Sequence, residues 1–176
     1  MTHTTIEEET DYSLGFPVVI RNSPRRETEE GRTVFDVSLS RYQHAALVEL
    51  VRLSRPWTGS NVAFVRKWMR ESMDRFGARA DVSNPAVCNW EQKGDSLTGM
   101  VKGTEYLLRV HVAHELRKSD IIGAATFRRL VVEAMDFEGD GERKAVKLDG
   151  RDLVGAESGV DSLAGHSGAA VSQSSD

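Results

Sequence analysis

The sequence predicts a mainly α-helical protein: a helical bundle preceded by a short β-hairpin and one helix, with disordered termini. Three observations lead there. Apolar residues recur at spacings of three and four through most of residues 40–137, the signature of amphipathic helices. Only two short β-branched runs occur, both near the N-terminus. The first sixteen residues are polar, charged and unpatterned, and the stretch from Ala156 is rich in Gly, Ser and Ala, compositions that cannot bury a core.

The chain has 176 residues, enough for one domain with a substantial core. Hydrophobic residues make up 39% and charged residues 28%, which suits a water-soluble chain. No apolar run approaches the roughly 18 residues of a membrane span. The opening MTHTTIEEETDYS is acidic, the reverse of a secretory signal. A cytoplasmic protein with no membrane partner is expected. The net charge of -4 hides an uneven distribution. Residues 1–16 carry -4, residues 133–176 carry -6, and the centre carries +6. A basic centre permits phosphate binding without demanding it. Cys88 is the sole cysteine, which excludes an internal disulfide and any zinc site needing two thiolates.

The elements follow in order. Residues 1–16 are expected to be a disordered acidic N-terminus. Residues 17–56 form a small strand-plus-helix element. In it, Phe16–Asn22 and Gly31–Leu39 pair as a hairpin, and Ser40 caps a helix running to Arg55. Ala46, Leu50 and Leu53 line that helix, and Pro56 ends it. A second helix is capped by Ser60 and striped by Val62, Val65, Met69 and Met73. Asp74–Ala80 is a short third helix, and Asp81-Val82-Ser83 is a turn. Asn84–Gln92 is the next helix, closed by Gly94. Gly103–Ser119 carries Leu108, Val112 and Leu116 at intervals of four, and Gly123–Phe137 is the last helix. Residues 138–176 read as a charged turn and disordered tail.

The run Phe64–Gly94, FVRKWMRESMDRFGARADVSNPAVCNWEQKG, resembles the helix-turn-helix of the XRE/Cro-repressor family. Gly77 stands where the family has a small residue, Asp81-Val82-Ser83 where it has Gly-Val-Ser. Ser83 through Trp90-Glu91 matches Ser-x-x-Thr-Val-Ser-x-Trp-Glu without a gap. Leu50–Met69, with Pro56-Trp57-Thr58-Gly59, and Lys102–Val112 are similar to segments of MqsA/YgiT-type antitoxins, without the zinc-binding half that needs paired cysteines.

The resemblance implies an XRE-type helix-turn-helix domain over residues 57–137. Ser83, Asn84, Pro85, Ala86 and Asn89 would meet base edges in the major groove, with Met73 at the start of the preceding helix. Asparagine can pair with adenine and alanine can touch a thymine methyl. Arg66, Lys67, Arg75, Arg79 and Lys93 would contact phosphates, with Ser96 and Thr98 as neutral donors. The expected partner is double-stranded DNA, bound by a homodimer through the helices after Gly103 or the Ser40–Arg55 helix. A toxin or other protein partner belongs to the same comparison. The alternative is an adaptor or antitoxin-like module that keeps the fold without reading sequence. Met73 in place of the usual Gln, Asp81 in place of Gly, and the lack of Arg or Lys on the recognition helix favour that alternative.

Other patterns carry less. His111 and His114 are spaced i, i+3, in the wrong order for a zinc-protease helix and with no third ligand in view. Asp136–Lys147 begins like a calcium loop but ends on Lys147, a cation where a carboxylate is required. Cys88 reads as a small packing residue. No catalytic constellation appears, no cofactor is implied, and the protein is not expected to be an enzyme.

Overall fold

The computed structural model describes residues 3–135 and 146–154. Their order is β1 (His3–Asp11), β2 (Val18–Glu27), β3 (Thr33–Phe35), α1 (Leu39–Arg52), α2 (Gly59–Trp68), α3 (Met73–Ala78), α4 (Asn84–Glu91), α5 (Lys102–Lys118), α6 (Ala124–Glu133), β4 (Val146–Asp149) and α7 (Gly150–Val154). Among the described residues 49% are helical and 20% extended. The protein is therefore mixed α/β, and the expected mainly helical class with a small hairpin and disordered termini is corrected.

The correction rests on a four-stranded mixed sheet centred on β2. β1 runs antiparallel along one side of β2, from His3 opposite Arg26 to Asp11 opposite Val18. The other side is shared: β4 lies parallel to Val18–Arg21, and β3 lies antiparallel to Arg25–Glu27. Thus a strand occupies residues expected to be disordered. β1 is an edge strand, mostly exposed, with Ile6 its only aliphatic residue. Backbone pairing to β2 and ion pairs from Arg21 to Glu8 and from Arg25 to Glu9 hold it. Charge on an edge strand also blocks pairing with other chains.

β2 extends past Asn22, where the sequence reading ended it. Its fully buried positions are Val18, Ile20 and Ser23, spaced by two and then three. The phase shift falls at Asn22, whose φ of 51° breaks the regular pleat and turns the other side of the strand inward, while the register with β1 is the same before and after it. The hairpin partner of β3 is consequently Arg25–Glu27, further along than predicted. β4 was lost to the calcium-like pattern, most of which lies outside the described residues, as does the tail from Ala156. Val146 and Leu148 alternate inward, and Lys147 faces out.

One face of the sheet packs on α1. Tyr42 is buried there, donates to Asp11 Oδ2 at 2.7 Å and meets Phe35 edge-on. The far side of α1 packs on α5, which buries Leu108, Val112 and Leu116. Two caps differ from prediction. Ser38, not Ser40, caps α1, and Thr58, not Ser60, caps α2 in a reciprocal box with Asn61.

Arg109 ties these layers together. Its guanidinium, 0% exposed, donates to Glu105 and to the carbonyls of Val51, Leu53 and Arg55, and it lies over the Trp57 ring. It satisfies carbonyls that the end of α1 leaves without helical partners. Glu105 in turn accepts the Trp57 N–H at 2.9 Å. No helix among the described residues is long and apolar enough to cross a membrane.

Candidate nucleic-acid interface

α3 and α4 are two short helices joined by a tight turn. Ser72 caps α3, its Oγ accepting from the Arg75 N–H at 3.3 Å. Gly77 lies against the turn itself. A Cβ there would sit 2.5 Å from the Val82 carbonyl oxygen and 3.3 Å from Val87 Cγ2, so only hydrogen fits. The Val82 N–H donates back to the Gly77 carbonyl at 3.0 Å. Asp81 takes the reversal with φ of 54°, a left-handed backbone that Asp accepts more readily than most side chains. The chain therefore breaks between the helices.

α4 starts at Asn84 with Ser83 as its extended N-cap residue and Pro85 in the first turn, where a missing N–H costs nothing. The Ser83 side chain makes no capping bond. Val87 and Trp90 are buried on the inner face of α4. Its far end is clamped by the start of α2. Gly59 passes so close to the Trp90 carbonyl that a Cβ would overlap it. The Ser60 N–H donates to the Gly94 carbonyl at 2.7 Å, and Ser60 Oγ bonds Asp95 at 3.0 Å. Pro56-Trp57-Thr58-Gly59 thus serves as a seat for α4.

The outward residues separate into two groups. Ser83, Pro85 and Asn89 are exposed on α4, with Asn84 and Ala86 half-buried beside them. Lys67, Arg70 and Arg75 are exposed on α2, its end and α3. Asn84 Nδ2 donates to Asp74 Oδ1 at 3.0 Å, so the first turns of α3 and α4 lie side by side.

The remaining predicted contacts are engaged within the protein. Arg66 forks onto Glu91, with Nε 2.5 Å from Oε1 and Nη2 3.0 Å from Oε2, and Nη1 reaches the Glu71 carbonyl. The Glu91 bond raises the Arg66 pKa above its ordinary value, so the charge stays on but is neutralised where it sits. Arg79 is gripped by the buried Glu71, which raises its pKa likewise, and approaches Glu115 at 3.8 Å. Lys93 Nζ donates to the Thr98 carbonyl at 2.5 Å. Thr98 is only 2% exposed and pairs its N–H with the Trp57 carbonyl. Met73 packs against the core. Arg66, Arg79, Thr98 and Met73 are thus held within the scaffold that supports α3 and α4, whereas Lys93 stays exposed despite its bond to the Thr98 carbonyl. Ser96 is exposed, and its carbonyl accepts the Gly59 N–H at 3.1 Å.

Sequence reasoning missed Arg70, which ends α2 with φ of 55°, and Asp74, the partner of Asn84. Neither departs from an ordinary solvated helix residue in sequence, so no signal marked them. His111 is half-buried beside α3, and burial together with the Arg79 charge pushes its pKa down. His114 faces Phe127 on α6. Among the described residues no cluster of His, Cys, Asp and Glu could hold a metal ion.

No family model matches the chain, and comparison with curated proteins and with solved structures gives no match.

Proposed function

We propose that α3 and α4 dock on double-stranded DNA and that the protein is a sequence-specific transcriptional regulator of repressor type. The observation that carries this reading is the outer surface of α4. Its first turns expose only short, neutral groups, while Val87, Trp90 and the Gly77–Val82 contact fix the helix from behind. A rigid helix with short side chains at its N-terminal end can approach base edges in the major groove. Lys67, Arg70 and Arg75 supply exposed positive charge for phosphates. One such unit reads few base pairs and buries little area, so two copies act on a two-fold site. A cytoplasmic location accompanies this reading.

A second reading, a protein-interaction adaptor or antitoxin-like module, draws on one specific feature. Glu91 and Glu71 neutralise two of the predicted phosphate-binding arginines, and Asp74 and Asp81 expose carboxylates on the same side.

Selection from a pool of random duplexes separates the two. The regulator enriches one sequence, and its affinity falls by about a thousandfold between 50 and 200 mM salt for three or so phosphate contacts from each of two copies. Enrichment of nothing, with no preference over random DNA for the sequence upstream of its own gene, leaves the adaptor.

A further inference from the structure

Asn84 stands at the first residue of α4, where a side chain meets base edges if the helix enters a groove. Its amide can present two arrangements, rotated by half a turn, with oxygen and nitrogen exchanged. Asp74 removes that freedom. Its carboxylate only accepts, so it holds the Nδ2 end at 3.0 Å and would face a second acceptor if the amide turned over. One N–H is spent on Asp74. The other N–H and Oδ1 remain, and these are the donor and acceptor that adenine's N7 and N6-amino group require.

The bond is not needed to build α3, because Ser72 already caps that helix. Asp74 also places a negative charge where phosphates would approach, which opposes every duplex and most of all one held by its backbone alone. We propose that Asp74 is a specificity-determining residue: it positions the Asn84 amide to read adenine and penalises non-specific DNA. This rests on the DNA-binding reading above.

The test uses the full chain and the duplex it enriches from a random pool. Binding is measured to that duplex, to versions with each adenine replaced in turn, and to random duplex. Asp74→Asn removes the charge and leaves an oxygen that can accept from Asn84, but its own amide can turn over and donate instead. It should bind all duplexes more tightly and retain only part of the preference for adenine. Asp74→Ala removes both, and should lose about tenfold of the preference at one adenine. Asn84→Ala should lose the preference at that same adenine, and the double variant should lose no more than either single one. All variants change exposed or half-buried positions, and their urea midpoints check that they remain folded. Full preference retained in Asp74→Ala, or equal losses in Asp74→Asn and Asp74→Ala, overturns the positioning role while leaving the DNA reading intact. A wild-type protein that enriches no sequence overturns both.

Discussion

Replacing Arg109 by methionine should be among the most damaging single changes in the helical half. Methionine fills much of the arginine stem's volume, so the effect isolates the charged head. The head donates twice to Glu105 and once each to the carbonyls of Val51, Leu53 and Arg55. Without it Glu105, 1% exposed, is a buried carboxylate with only the Trp57 N–H left to it. Breaking a buried pair from one side costs about 3–5 kcal/mol, a large share of the 5–15 kcal/mol typical of a folded domain. With a urea dependence of about 2 kcal/mol per molar, the unfolding midpoint should drop by about 2 M. Glu105→Gln combined with Arg109→Met removes the stranded charge and should recover roughly half of the loss. Burial already raises the Glu105 pKa against the opposing pull of Arg109. In Arg109→Met the raised value means the neutral carboxyl favours the fold, so stability is highest at low pH and declines as pH rises through it. The variant should be nearest to wild type below the ordinary glutamate value of 4.5 and fall further behind as pH rises towards 7. Urea titration followed by tryptophan fluorescence reads all three quantities. A midpoint shift under roughly 0.5 M, or a double variant no better than the single one, refutes the reasoning.

Three further outcomes follow from the same structure. Gly77→Ala gains about 1 kcal/mol of helix propensity, but its Cβ meets the Val82 carbonyl at 2.5 Å, and overpacking of about 1–3 kcal/mol wins; thermal unfolding should show net destabilisation. Asp81 sits at φ of 54°, so Asp81→Gly should be nearly neutral while Asp81→Val costs about 1–2 kcal/mol, read by the same melts. Burial lowers the pKa of His44 and of His111, the latter helped by Arg79, from the ordinary 6.5. Neutral histidine therefore favours the fold. That stability is present above pH 6.5 and is lost as pH falls through the lowered values. Urea midpoints should drop between pH 7.5 and 5.5, and less so in His111→Gln.

What could be read from the sequence depended on whether a residue's partners lay nearby. The turn between α3 and α4 was legible because Gly77, Val82, Val87 and Trp90 constrain one another within fourteen residues. The α5 stripe was legible because Leu108, Val112 and Leu116 repeat at helical spacing. β1 was not, since an edge strand bonded through its backbone needs no apolar alternation. β4 does alternate, but four residues are too few to outweigh a competing motif. The charges misled for a different reason. Arg66 and Arg79 look like phosphate ligands until Glu91, twenty-five residues on, and Glu71 are placed beside them. Thr98 is polar, yet its N–H pairs with a carbonyl forty-one residues earlier and it is buried. Lys67, Arg75, Pro85 and Asn89, by contrast, stay exposed where the sequence suggested an open surface.

The central claim is that the outer face of α4 meets DNA, and amide chemical-shift mapping during titration with a duplex selected by the protein tests it most directly. Shifts concentrated at Ser83–Asn89, Lys67 and Arg75, with β1 and α6 unmoved, are the predicted result. Shifts that spare α4 while another surface responds would contradict it.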